Sequence, residues 1–169
     1  MNKSNIRVRQ NLTNAMISLM GVKKFRDISI TELIETAHVG RVSFYRNYEC
    51  KEDVVIEYLC DQVSEWAEVL RLKNRAPEWS DLSKAITILK PSIKILYESE
   101  AGHILYMFIK QFNDRFQLYH NDDTPTKSIR AGLYFGIIDY WATNGFKETS
   151  KEIEKKFTGY IRPINDQSK

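Results

Sequence analysis

Apolar residues recur along nearly the whole chain at three- and four-residue steps, and no segment sustains the every-second alternation of a half-buried strand. The spacing predicts an all-α protein. Ile6, Leu12, Ala15, Met16, Leu19 and Met20 define a helix over 5–20 that Gly21 stops. Phe25 and Ile28 fall in a short connector. Ser29-Ile-Thr-Glu32 has the form of a capping box and opens a short helix with Ile30, Leu33, Ile34 and Ala37 inward. His38-Val39-Gly40 reads as a turn, 41–48 as a third short helix, and Lys51 as the start of a longer fourth. That helix carries Val54, Val55, Tyr58, Leu59, Val63, Trp66 and Leu70 at helical steps.

Pro77 opens a loop, and Ser80-Asp-Leu begins a helix with Leu82, Ile86, Leu89, Ile93, Leu96 and Tyr97 inward. Pro91 lies within that pattern and predicts a kink or a split. Over 101–119, Ile104, Phe108, Phe112 and Phe116 are spaced four apart, flanked by Leu105, Met107, Ile109 and Tyr119. A polar break spans 121–126. The segment 129–143 is unusually apolar for a surface helix and ends at Asn144-Gly145. Thr149-Ser-Lys-Glu152 is a second capping box, opening a last helix with Ile153, Phe157, Tyr160 and Ile161. Pro163 and a polar tail close the chain. There is no internal repeat.

With 169 residues, 43% of them hydrophobic, and only seven Gly and four Pro, the chain suits one domain or a small head on a larger body. The net charge of +3 is unevenly spread. Residues 1–51 hold nine Lys and Arg against four Asp and Glu, and the rest hold 16 against 18. A basic head on a slightly acidic body is expected when only the head touches nucleic acid; the alternative is an accident of surface composition. Cys50 and Cys60 make neither a disulfide framework nor a metal set, and read as small apolar groups in a reducing compartment. No apolar run approaches the ~18 residues of a membrane span, and no apolar block follows the N-terminus. The expectation is a soluble cytoplasmic protein with no metal, cofactor or membrane partner.

The pair of short helices at 29–48 suits a helix-turn-helix, whose first helix crosses the DNA backbone while the second enters the major groove. The residue types fit. Arg41 can pair with phosphate or guanine, Ser43 with most base edges, and Asn47 with phosphate or adenine. Val42 suits a thymine methyl, and Tyr45 can reach phosphate while its ring packs on sugar. Thr31 and Lys51 lie near helix N-termini, where phosphate binds. Ser29, Gly40, Arg46 and Tyr48 complete the candidate DNA-binding set, with Tyr48 half core and half surface. Phe44 turns inward with Leu33 and Val39. The alternative is an ordinary small bundle with a solvated basic face.

These residues are similar to a known pattern. Phe25, Ser29-Ile30, Leu33-Ile34, Ala37-His38-Val39-Gly40, Phe44-Tyr45, Tyr48 and Lys51-Glu52 resemble the helix-turn-helix of the tetracycline-repressor (TetR) family. The likeness covers roughly the first third of the chain. His38 stands where the family usually has Gly, Gly40 where it has a capping Ser, and Tyr48 where it has Phe. The resemblance implies a three-helix DNA-binding head at 1–51. The long fourth helix would join it to a helical body at 52–169 that dimerises and often encloses an inducer pocket.

The body carries its own hints. Gly132-Leu-Tyr-Phe-Gly136 places small residues four apart, which permits close helix contact. Ile129, Leu133, Gly136, Ile137, Tyr140 and Trp141, with Ile153 and Phe157, form a candidate dimer seam; the alternative is the internal core of one subunit. Trp66, Tyr97, Tyr106, Phe108, Phe112 and Tyr134 are candidate pocket walls, and His103, Gln111 and Asn113 candidate polar contacts; each also suits plain core or surface. There is no Gly-rich phosphate loop, nucleophile elbow or HExxH, and His38, His103 and His120 form no constellation, which argues against an enzyme. The expected function is a homodimeric transcription regulator on a near-palindromic duplex, in its commoner form a repressor released by a small molecule. The alternative is a TetR-like coactivator or interaction protein working through a protein partner.

Overall fold

Helix α1 (Lys3–Met20) buries Leu12, Ala15, Met16 and Met20 along one side and ends at Gly21, whose N–H bonds back to Ile17 and Ser18. The computed structural model describes residues 3–72, 77–118 and 123–166. A single 3-10 turn (Phe25–Asp27) follows, with Phe25 and Ile28 both buried. Then come α2 (Ile30–Thr36), α3 (Arg41–Asn47), α4 (Lys51–Leu72), α5 (Trp79–Glu98), α6 (His103–Phe116), α7 (Thr124–Thr143) and α8 (Ser150–Asp166). The described residues are all-helical, with no strand.

The helix ends follow from local chemistry. Ser29 Oγ accepts from the Glu32 N–H, but the Glu32 carboxylate pairs with Lys23 instead of reaching back, so only half of that capping box forms. The Thr149–Glu152 box is complete: Glu152 accepts from the Thr149 N–H and Thr149 Oγ1 from the Glu152 N–H. Three helices end in Schellman turns, whose left-handed residues are His38 (φ 52), Glu100 (φ 60) and Gly145 (φ 69).

Three sequence expectations shift. Helix α5 begins at Trp79 and runs unbroken past Pro91, so it is not split; Pro91 sits on the exposed side. The polar break is shorter than 121–126. Thr124, Pro125 and Thr126 form the first turn of α7, where proline's missing N–H has no partner to lose, and Asp123 caps it. Helix α8 continues through Pro163 to Asp166. Tyr119, His120 and 121–122, and the Ile161 and Pro163 side chains, lie outside the described residues.

One buried apolar cluster runs from Leu12 to Ile153. Helix α4 is its spine, packing on α1 at one end and on α5 and α6 beyond. A backbone hydrogen bond from Phe25 N–H to the Ser99 carbonyl (2.8 Å) joins the N-terminal helices to the α5–α6 turn, and Glu100 there pairs with Lys24 and Arg26. Cys60 is packed in the core as the sequence suggested, whereas Cys50 is only half-buried and outside it. Burial is the main cause that pushes Cys50 and Cys60 up to about 11, so both remain protonated at neutral pH.

Candidate nucleic-acid interface and interior cavity

Helices α2 and α3 are seven residues each, too short to persist alone. They are held by what they bury. Leu33 and Phe44 are fully buried, with Ile34 and Ala37 nearly so, and both helices pack on α1. The turn between them is set by His38 in the left-handed region, which His tolerates better than most residues with a Cβ. The Val39 N–H reaches the Ile34 carbonyl at 2.9 Å and the His38 N–H the Glu35 carbonyl at 3.1 Å. Gly40 then caps α3 with no side chain, in an ordinary extended conformation with open space beyond its Cα.

With Phe44 turned inward, α3 presents the opposite face. Arg41, Val42, Tyr45 and Arg46 are exposed, Val42 to 73% and Tyr45 to 52%. Arg41 Nη2 donates to Thr31 Oγ1 at 2.8 Å, which steadies the guanidinium over the start of α2. Ser43 is half-buried beside this face, and Ser29 is exposed but occupied as a cap.

Three expected DNA contacts are engaged elsewhere. Tyr48 is buried; burial, with Glu57 nearby, raises its phenol well above the ordinary tyrosine range. The Asn47 amide is tied inward, accepting from Arg9 Nε at 3.1 Å and donating to the Ser43 carbonyl at 2.8 Å. Lys51 donates to the carbonyls of Phe25 and Ile28, each at 2.7 Å, with its ammonium 4.4 Å from the Phe25 ring centroid. It ties the 3-10 turn to α4 and is not free for phosphate.

Arg9 is the residue that sequence reasoning missed. It pairs with Glu57 on α4 while holding Asn47 on α3, so one guanidinium joins α1, α3 and α4. No local signal marks it, because its partners lie 38 and 48 residues away. Ion pairs thus occupy Arg9, Lys23, Lys24 and Arg26. Arg7, Arg41 and Arg46 remain exposed with no ion pair among the described residues.

Behind this head, α4, α5, α6 and α7 enclose a cavity of about 380 Å³. Trp66, Phe108, Phe112, Tyr134 and Asn113 line it as expected, joined by Trp79, which the sequence reading passed over. Tyr97, Tyr106, His103 and Gln111 do not. Tyr97 donates to Asp139 at 2.5 Å, Tyr106 packs edge-on to Phe135, and exposed His103 lies against Phe25 of the 3-10 turn.

No protein-family model and no curated protein matches this chain.

The proposed seam is only partly available. Ile137, Trp141 and Ile153 are buried within the subunit, Ile137 against the cavity and Trp141 with its indole N–H on the Glu148 carbonyl. Tyr140 is half-buried, bonded to Glu148 and Lys156, and its ring packs on Phe157. What α7 leaves outward is Ile129 (60% exposed), Gly132 and Gly136, with Leu133 half-buried and packed against the core; Tyr160 is exposed on α8. An added Cβ at either glycine meets nothing, so that face is open to another backbone.

Proposed function

We propose that this chain is a TetR-like transcription regulator that binds double-stranded DNA as a homodimer. Its reading head is 1–51 and its regulatory and dimerisation body 52–169. The observation that carries this is the outward face of α3. A seven-residue helix anchored by Phe44 leaves Arg41, Val42, Tyr45 and Arg46 exposed together, behind a turn held by His38. Arg41 is the base reader, its guanidinium set by Thr31 for a bidentate guanine contact. Val42 meets a thymine methyl, and Tyr45 and Arg46 lie along sugar and phosphate. Two such heads one helical turn apart require a near-palindromic operator.

A site selected from a random duplex pool provides the test. In mobility-shift titrations Arg41→Ala is expected to weaken binding by about tenfold or more and relax sequence preference, since a base contact is worth about 1–3 kcal/mol, while Tyr45→Ala weakens binding about equally across sequences. Their melting temperatures should stay at the parent value. Unchanged affinity in both variants would reject α3 as the reading helix.

Dimerisation is assigned to the outward strip of α7. Ile129→Asp places a charge on that strip at its most exposed apolar side chain, away from the buried wall at Ile137. Concentration-dependent sizing should show the parent as a dimer and the variant as a folded monomer with weakened duplex binding. A variant that remains dimeric moves the seam elsewhere.

Helix α4 offers the route from body to head. Val63 and Trp66 line the cavity, Glu57 holds Arg9 and through it α3, and Lys51 holds the 3-10 turn. A ligand that favours one position of α4 shifts the spacing of the two heads and releases the duplex, the behaviour of a repressor. A second reading uses the same head on a protein partner, as a coactivator does. Exposed Val42 and Tyr45 favour it, and failure of any duplex to be selected would support it.

A further inference from the structure

We infer that the cavity selects an amphipathic anion, a molecule with an apolar body and one carboxylate-like end. This rests on the ligand-responsive reading above and narrows it to a chemical class. The deep wall is hydrocarbon, with Val63, Leu89, Phe108 and Ile137 among its members. The charged lining residues gather where the C-terminal half of α6 meets the first turns of α7: Lys110, Asp114, Lys127 and Arg130.

These four are not equivalent. Arg130 is buried and has partners of its own within the protein, so it belongs to the wall. Asp114 is the one acid in the lining among the described residues and sits 3.5 Å from Lys127, a loose pair. Lys110 is exposed, its ammonium 5.8 Å from the Tyr106 ring centroid, and no carboxylate pairs with it among the described residues. Among the described residues, two ammonium groups and one loosely held carboxylate make a positive mouth on an apolar interior. A cationic amphiphile would meet like charges there, and a neutral one would gain burial alone. A carboxylate lays its chain on hydrocarbon and takes charge-assisted hydrogen bonds from Lys110 and Lys127, displacing the loose Asp114 contact.

Trp66 and Trp79 both line the cavity, and the chain has three tryptophans, so intrinsic emission reports occupancy. The full chain is titrated at neutral pH with decanoate, decan-1-ol and decylammonium, which share one hydrocarbon tail, the two ions below their micelle concentrations and the alcohol below its solubility limit. Decanoate should shift the emission at a concentration about tenfold lower than the alcohol, as a charge-assisted contact implies, with decylammonium weakest. Replacing Lys110→Gln and Lys127→Gln together should bring decanoate down to the alcohol's level with the melting temperature unchanged. Equal binding of alcohol and decanoate, or tighter binding of decylammonium, overturns the selection of an anion. No emission change with any probe overturns the cavity as a ligand site. Neither result touches duplex binding by Arg41 and Tyr45, which is measured separately.

Discussion

Phe44→Ala is expected to destabilise the protein by about 3–5 kcal/mol, the usual range for removing a fully buried aromatic ring, whereas Tyr45→Ala beside it should change stability by about 0.5 kcal/mol or less. Phe44 is fully buried and is the one buried residue within α3. Its ring meets Tyr45 edge-on at 5.2 Å and Tyr48 at 5.9 Å, so alanine removes both ring contacts along with the buried volume. A helix of seven residues has too few hydrogen bonds to survive without that anchor. Thermal melts should show a loss of about ten degrees or more for Phe44→Ala. Hydrogen exchange should show α3 amides losing protection before those of α4. Equal losses in the two variants would contradict the division of α3 into an anchored face and a presented face.

The parts of the head that could be read from sequence are those whose causes are local. Ser29 three residues before Glu32 and a His at the turn each act within one helical turn, Ser29 by its own arm alone, and in the body Thr149 three before Glu152 does the same. Phe44 was legible because it is apolar between polar neighbours. Asn47, Tyr48 and Lys51 misled for the opposite reason. They have the chemistry of DNA contacts, but their side chains are engaged by partners or packing remote in sequence, and composition says nothing about which polar group already has a partner. Lys51 reaches carbonyls 26 and 23 residues back.

In the body the limit was periodicity itself. Helix α7 is apolar on both sides, so its pattern cannot tell Ile129, which faces outward, from Ile137 and Trp141, which face in. Aromatic content likewise marked a cavity wall without fixing its members. Tyr97 and Tyr106 satisfy themselves on Asp139 and Phe135, whereas Trp79, at the very start of α5, closes the cavity.

Lys51→Met carries the sharpest contrast between a binding role and a structural one. Methionine keeps the apolar stem and removes the ammonium, so the loss isolates the hydrogen bonds to Phe25 and Ile28 and the contact with the Phe25 ring. Hydrogen bonds from a charged donor contribute about 1.5–3 kcal/mol each when buried; for this half-buried ammonium the variant should lose about 2–3 kcal/mol in denaturant titrations. The 3-10 turn it holds also carries the Phe25–Ser99 bond, so exchange protection should fall there as well as at the start of α4. A phosphate contact predicts something different: stability unchanged, and a salt dependence of duplex affinity shallower by about one unit. Lys51 is committed to the fold, so the expected result is a less stable head whose folded form keeps the parent's salt slope. A variant of parental stability with a shallower slope would return Lys51 to the DNA interface.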